Sequence, residues 1–189
     1  MTRRAELQAA TRQRIIEAVV ALHREIGPAR TTVTAIAERA GVERLTVYRH
    51  FADEGELFAA CSAHFVAETG PPSPAAWSGT DDPAERMRAA LLAFYGYYRR
   101  GEDMIANVRR DVPGMPVLAA VIAPWGAFVE MVRGDLADAW SAPPRARVRI
   151  AAVIGHALRF ETWQSLARLE GLGDGEVAEL MIELVRRAA

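Results

Sequence analysis

Arg44, Thr46, Tyr48, Arg49 and His50 stand close together in the chain. Between them they supply two guanidinium forks, two hydroxyls and an imidazole. Arginine can pair bidentately with a guanine edge, and a threonine methyl can touch a thymine methyl. Tyrosine, arginine and histidine can donate to phosphate oxygens, which fixes register without reading bases. No motif offers competing covalent chemistry: His-Glu-x-x-His, the P-loop, Gly-x-Ser-x-Gly and the dinucleotide fingerprint are all missing. Cys61, His64 and Glu68 share a helical face at spacings of three and four. Three ligands on one helix make a metal site only with a fourth from elsewhere. Asp81-Asp82 reads as a helix cap before Pro83, not as an acid pair. No enzymatic activity, metal or cofactor is expected.

Those five side chains need a scaffold, and Thr31 to Phe51 supplies one. Thr32 is a good N-cap, and Val33, Ile36, Ala37 and Ala40 then share one face at helical spacing. Gly41 sits where a chain leaves a helix through a left-handed residue, which glycine adopts without a Cβ clash. Val42, Val47 and Phe51 resume the apolar pattern. The reading is two short helices and a tight turn, a helix-turn-helix whose second helix enters the major groove. With Val47 and Phe51 inward, Arg44, Leu45, Thr46, Tyr48, Arg49 and His50 face outward or sideways.

At these residues the chain resembles the tetracycline-repressor (TetR) family of transcriptional regulators. The likeness spans about Thr11 to Phe65 and is carried by Thr32-Val33, Ile36-Ala37, Ala40-Gly41-Val42, the run Thr46-Val47-Tyr48-Arg49-His50-Phe51, and Leu57-Phe58. It implies that Thr32, Arg44, Thr46, Tyr48 and His50 meet DNA. Two departures stand out. Glu54 occupies the position where the family usually has a phosphate-binding lysine, and Leu45 replaces the small residue common before the recognition threonine.

The 189 residues are 51% apolar with a net charge of −1, a composition that argues against disorder. The chain has no lysine, so arginine carries all the basic charge. Residues 1–50 hold nine arginines against five glutamates, a positive head on a nearly neutral chain, as phosphate binding requires. Cys61 is the lone cysteine, so no internal disulfide can form. No uninterrupted run of ~18 apolar residues and no signal-peptide core appear, so a cytoplasmic protein with no membrane partner is expected.

Along the chain, residues 1–10 read as polar and frayed, and Thr11 to Ile26 as a first helix ended by Gly27-Pro28. Asp53 and Glu56 make a capping-box start for a fourth helix. The proline-rich stretch from Gly70 to Pro74 reads as a boundary. Further helices are expected from Pro83 to Arg100, Glu102 to about Val112, Pro116 to Trp140 with Pro124 inside it and a kink near Ala123, Pro144 to about Glu170, and Glu176 to Arg187. The fold class is all-α, with about nine helices. Residues 1–52 are expected to form a three-helix helix-turn-helix domain, 53–69 a connecting helix, and 70–189 a helical domain for ligand binding and dimerisation.

One recognition helix covers only a few base pairs, whereas a dimer places two on successive major grooves about 34 Å apart. The last two long helices carry surplus apolar surface, so the expected homodimer interface takes in Ala151, Gly155, Leu158, Val177, Leu180, Met181 and Leu184. The middle helices are rich in rings. Phe94, Tyr98, Met104, Trp125, Phe128, His156, Phe160 and Trp163 are the candidate lining of a cavity for a small, mostly apolar effector. The expected function is a sequence-specific regulator that binds a palindromic double-stranded DNA operator as a repressor and leaves it when an effector binds. Alternatives are an activator, a ligand-independent regulator, or a helical small-molecule-binding protein or enzyme.

Overall fold

A computed structural model describes residues 3–189, which form nine α-helices and no strand. The helices are α1 (Arg3–Glu25), α2 (Val33–Ala40), α3 (Arg44–His50), α4 (Glu54–Thr69), α5 (Pro83–Asp111), α6 (Pro116–Asp138), α7 (Pro144–Ala157), α8 (Phe160–Gln164) and α9 (Asp174–Ala188). The first helix begins well before Thr11. Residues 3–10 are exposed yet helical, because their alanine, leucine, arginine, glutamate and glutamine all favour the helix. Met1 and Thr2, also expected to fray, lie outside the described residues.

The chain divides into two compact units. The first takes the chain up to Thr69 together with Gly101–Ala123, and the second takes Gly70–Arg100 with Pro124–Ala189. This differs from a single cut at residue 70, since Gly101–Ala123 joins the first unit. Two helices therefore run through the division. In α5 the crossing coincides with Gly101, whose φ of −112° and ψ of 16° break the helical path. A Cβ at Gly101 would stand 2.5 Å from the Phe65 ring, so a larger residue there would force that ring to move. In α6 the crossing falls at Pro124, and the helix continues through it.

In the first unit, α1 buries Ile15, Ile16, Val19, Val20 and Leu22 against α2 and α4. Burying side chains of this size contributes about 1.5–3 kcal/mol each. Asp53 caps helix α4, its Oδ1 accepting from Glu56 N at 2.8 Å, while the Glu56 carboxylate reaches past the cap to accept from Ala52 N at 3.0 Å, so the reciprocal bond of a capping box is not made.

In the second unit, α7 and α9 pack together around Ile150, Ile154, Val177, Ala178, Ile182 and Val185. The single helix expected from Pro144 to Glu170 is in fact broken. Helix α7 stops at Ala157, Arg159 is extended with ψ of 140°, α8 follows, and one π-turn spans Ser165–Leu169. The carbonyls released by the break find hydroxyl donors: Tyr95 Oη to Ala157 O at 3.0 Å, Tyr98 Oη to Leu158 O at 2.6 Å, and Thr162 Oγ1 to His156 O at 2.7 Å. Helix α6 is long and apolar enough to cross a membrane by length and composition alone, although its apolar residues form no uninterrupted run. Its Val132, Leu136 and Ala137 are buried, while Met131 is exposed.

Candidate nucleic-acid interface

Local chemistry sets the helix-turn-helix. Thr32 Oγ1 accepts from Ala35 N at 3.1 Å, capping α2. At the other end Gly41 adopts φ 65° and ψ 43°. Its N–H reaches Glu38 O at 3.2 Å, and Val42 N reaches Ala37 O at 3.0 Å. These two bonds form a Schellman motif, which satisfies the last carbonyls of α2 and turns the chain into α3.

Helix α3 anchors itself by Val47 and Phe51, which are 2% and 3% exposed. The opposite side is open. Leu45 is 65% exposed and Tyr48 52%, and Arg44 and Arg49 are also exposed. Thr46 and His50 are half-buried at the flank. Arg49 Nη2 donates to Thr46 Oγ1 at 2.8 Å, so those two side chains hold each other on the surface of α3. None of the candidate DNA contacts is buried. Thr32 is exposed too, although its hydroxyl is engaged by the cap.

Ion pairs tie the helix pair to its surroundings. Arg39 of α2 grips Glu25 of α1, with Nη2 to Oε2 at 2.7 Å, and that hydrogen bond lowers the Glu25 carboxyl pKa. Arg12 lies 4.6 Å from the Phe51 ring centre and 3.6 Å from Glu56, so it packs over the exit of α3. The end of α1 is held by residues that sequence reasoning missed. Asn107 Nδ2 donates to His23 O and Arg24 O at 3.0 and 2.7 Å, Arg110 Nη2 donates to Ile26 O at 3.0 Å, and Asp111 Oδ2 accepts from Ala29 N at 3.0 Å. No spacing rule links residue 107 to residue 24; only the fold brings them together. The hydrogen bond from Arg110 holds the Asp111 carboxyl below the usual carboxylate range, against the effect of burial. Cys61, His64 and Glu68 share a face of α4 but not one set of contacts. Cys61 turns to His23, while His64 Nε2 lies 3.3 Å from Glu68.

In the second unit the rings pack on one another. Phe94 and Phe128 stack at 6.1 Å with planes 9° apart, and Tyr97 and Trp125 centres lie 5.0 Å apart. Phe94, Tyr98, Phe160 and Trp163 are buried, and Trp125 and Phe128 are half-buried. Several polar handles are already committed inside the chain. The Tyr98 hydroxyl serves the α7 break, and Trp163 Nε1 donates to Asp174 Oδ1 at 2.9 Å. Burial tends to raise the Asp174 carboxyl, but hydrogen bonds from Arg99 and Trp163 outweigh it and hold the group low. Two of the expected cavity residues need correction. His156, on the last turn of α7, is exposed beside Thr162, and Met104 is buried in the first unit.

The expected dimer face also needs correction. Leu158, Val177 and Met181 are 1%, 0% and 3% exposed within their own chain and offer no surface to a second copy. Gly155 is half-buried, and a Cβ there would meet Arg133 Cδ at 2.8 Å, so its gap admits an arginine of the same chain. Ala151 is half-buried. Leu180 and Leu184, at 38% and 40%, are open, and so is Val148 at 72%. The apolar stripe of α9 is wider than one partner needs. Its centre faces the core of this unit and its edge faces out.

Residues 15–61 match the bacterial regulatory proteins, tetR family. Solved structures share the fold over nearly the whole chain. A TetR-like transcriptional regulator from Rhodococcus sp. RHA1 is 22% identical over 94% of each chain, with a TM-score of 0.66. A TetR transcription regulator from Haloarcula marismortui ATCC 43049 is 16% identical over 96% of this chain and 97% of its own, at 0.62. The multidrug binding protein EbrR, complexed with imidazole, is 22% identical over 94% of this chain and 93% of its own, at 0.59. No curated protein matches the chain in sequence.

Proposed function

We propose that this chain, whose residues 15–61 match the tetR family of bacterial regulatory proteins, is a cytoplasmic repressor that binds a palindromic operator as a homodimer and releases it when a small apolar compound binds. The observation that carries the DNA reading is the division of α3 into two faces. Val47 and Phe51 are sealed inside, and Arg44, Leu45 and Tyr48 stand in solvent. In this docking mode the N-terminal part of the recognition helix meets base edges. Arg44 and Leu45 are therefore the base-reading residues, with Thr46 beside them. Tyr48, Arg49 and His50 then hold phosphates, and Thr32 adds a contact from the start of α2. Glu54 takes the place of a phosphate-binding cation and weakens one backbone contact.

The exposed Val148, Leu180 and Leu184 support self-association through α7 and α9. The half-buried Trp125 and Phe128 at the edge of the ring cluster support an effector that inserts among rings, in line with the imidazole bound by EbrR. Release then requires the effector to bind one of two dimer states better than the other. Gly101 and Pro124, where two helices leave one unit for the other, are the natural points for that movement.

Selection of bound sequences from random duplex DNA tests this reading directly. The expected product is a two-fold symmetric site. Arg44→Ala should weaken binding to it by about 1–3 kcal/mol and relax one base position in each half. Recovery of no enriched sequence would refute the operator reading. A monomer at micromolar concentration in ultracentrifugation would refute the dimer.

A further inference from the structure

Helix α1 begins at Arg3, yet the first side chain it buries is Ile15. Every residue from Arg3 to Ala10 is exposed, so the helix runs on past the core it packs against. At 3.6 residues per turn, Arg4 and Gln8 fall on the face that carries Ile15, Val19 and Leu22 further along. Downstream that face is buried against α2 and α4. Upstream it is an overhang with an arginine on its underside. Arg12 fixes where the overhang lies. Its guanidinium stands 4.6 Å from the ring centre of Phe51, the residue that ends α3, and 3.6 Å from Glu56 in the first turn of α4. With a rise of 1.5 Å per residue, Arg4 stands about 12 Å beyond Arg12 along the helix axis. The overhang therefore leaves the first unit beside the exit of α3.

A recognition helix seated in the major groove has a phosphate strand on either side. The groove is about 8.5 Å deep and a helix is about 10–12 Å across, so the phosphate rim stands level with whatever packs directly behind the helix. At the end of α3 the element behind is α1, through Arg12 and the inward ring of Phe51. The other charges at this exit are Asp53, Glu54 and Glu56, of which Arg12 offsets Glu56. A backbone lying at this end of α3 needs a further cation, and α1 carries one. We propose that Arg4 binds a DNA phosphate beside the groove that α3 enters, positioned by the overhang of α1. This rests on the reading of α3 as the recognition helix. A guanidinium matches a phosphate through two parallel N–H···O bonds. Arg4 is exposed, and no ion pair among the described residues competes for it. Its place on a formed helix, not on a loose tail, lowers the ordering cost of the contact. Arg3 lies on the opposite side of α1 from the buried stripe and takes no part. The contact reads no base, so it adds affinity and salt dependence without sequence preference.

The test measures the affinity of the full chain for a random-sequence duplex several helical turns long, by fluorescence anisotropy over a series of salt concentrations. Arg4→Gln should make the slope of log affinity against log salt shallower by about 0.9 for each protomer bound. Arg3→Gln should leave the slope unchanged. Gln8→Arg, which puts a second guanidinium on the same face, should steepen it by a similar step. All three positions lie in solvent and the new residues favour the helix, so each variant keeps the fold. Selection of bound sequences with Arg4→Gln should return the same site as the parent chain. An unchanged slope in Arg4→Gln, or an equal loss in Arg3→Gln, would overturn the proposal and leave the recognition helix in place. So would an altered base preference in Arg4→Gln. If the parent chain binds the duplex with no salt dependence, the DNA reading itself fails and this contact goes with it.

Discussion

Two places in this molecule end one helix and begin another within a few residues, and they do so by opposite means. Between α2 and α3 the chain turns on itself. Gly41 takes a left-handed conformation, and the backbone N–H groups of Gly41 and Val42 satisfy the final carbonyls of α2. Between α7 and α8 there is neither glycine nor proline from His156 to Phe160. There the released carbonyls are met by the hydroxyls of Tyr95, Tyr98 and Thr162. A turn closed by its own backbone leaves the neighbouring side chains for an outside partner. A break closed by side chains from elsewhere uses those side chains up. Consistent with this, α3 presents Arg44 and Tyr48 to solvent, while Tyr95 and Tyr98 are buried.

The contrast can be broken or sharpened by mutation. The largest effect is expected from Trp163→Ala, which empties a fully buried site beside the α7–α8 break and should cost about 3–5 kcal/mol in thermal unfolding. A loss below 1 kcal/mol would mean that the ring cluster is loosely packed. Next comes pH. The folded pKa of His23 is lowered from 6.5 to about 4, so the unfolded chain binds more protons between those values. The stability that neutral His23 contributes is therefore fully present above pH 6.5 and is lost as pH falls toward 4, about 3 kcal/mol in all. Urea unfolding across that range should show the decline, and His23→Phe should flatten it.

Tyr98→Phe keeps the ring and removes the donor to Leu158 O, at an expected cost of about 1–3 kcal/mol. Hydrogen exchange should rise locally at the break, and a neutral outcome would show that α7 can heal without the hydroxyl. The smallest change in stability belongs to Arg44→Ala, within about 0.5 kcal/mol, because the side chain lies in solvent. Its loss should appear in DNA affinity alone. A destabilised Arg44→Ala protein would show that the outer face of α3 supports the fold.

The helix-turn-helix was legible because every instruction for it lies within a few residues of its effect. Thr32 caps the next turn, Gly41 permits a positive φ, and Val47 and Phe51 repeat at helical spacing. The cap at Asp53 was legible for the same reason, although Glu56 reaches Ala52 N and not the N–H of Asp53. The break after Ala157 was not, since an unbroken apolar run reads as one helix and its donors come from Tyr95 and Tyr98, more than fifty positions away. The wide stripe of α9 concealed which edge is inside, because periodicity gives a face and not its partner. His23 passed unnoticed as well: nothing adjacent in the chain marks it as buried, and Cys61 reaches it only through packing.

From residue order alone came the all-helical class, the two-helix reading head and the face it turns outward, because caps, glycine turns and periodicity act over one or two turns of chain. Tertiary structure decided which apolar residues the core would take, where the long C-terminal helix would break, that Gly101–Ala123 would join the first unit, and that His23 would be buried against Cys61. Those outcomes depend on groups far apart in sequence meeting at hydrogen-bond distance, and only the packed chain sets that distance.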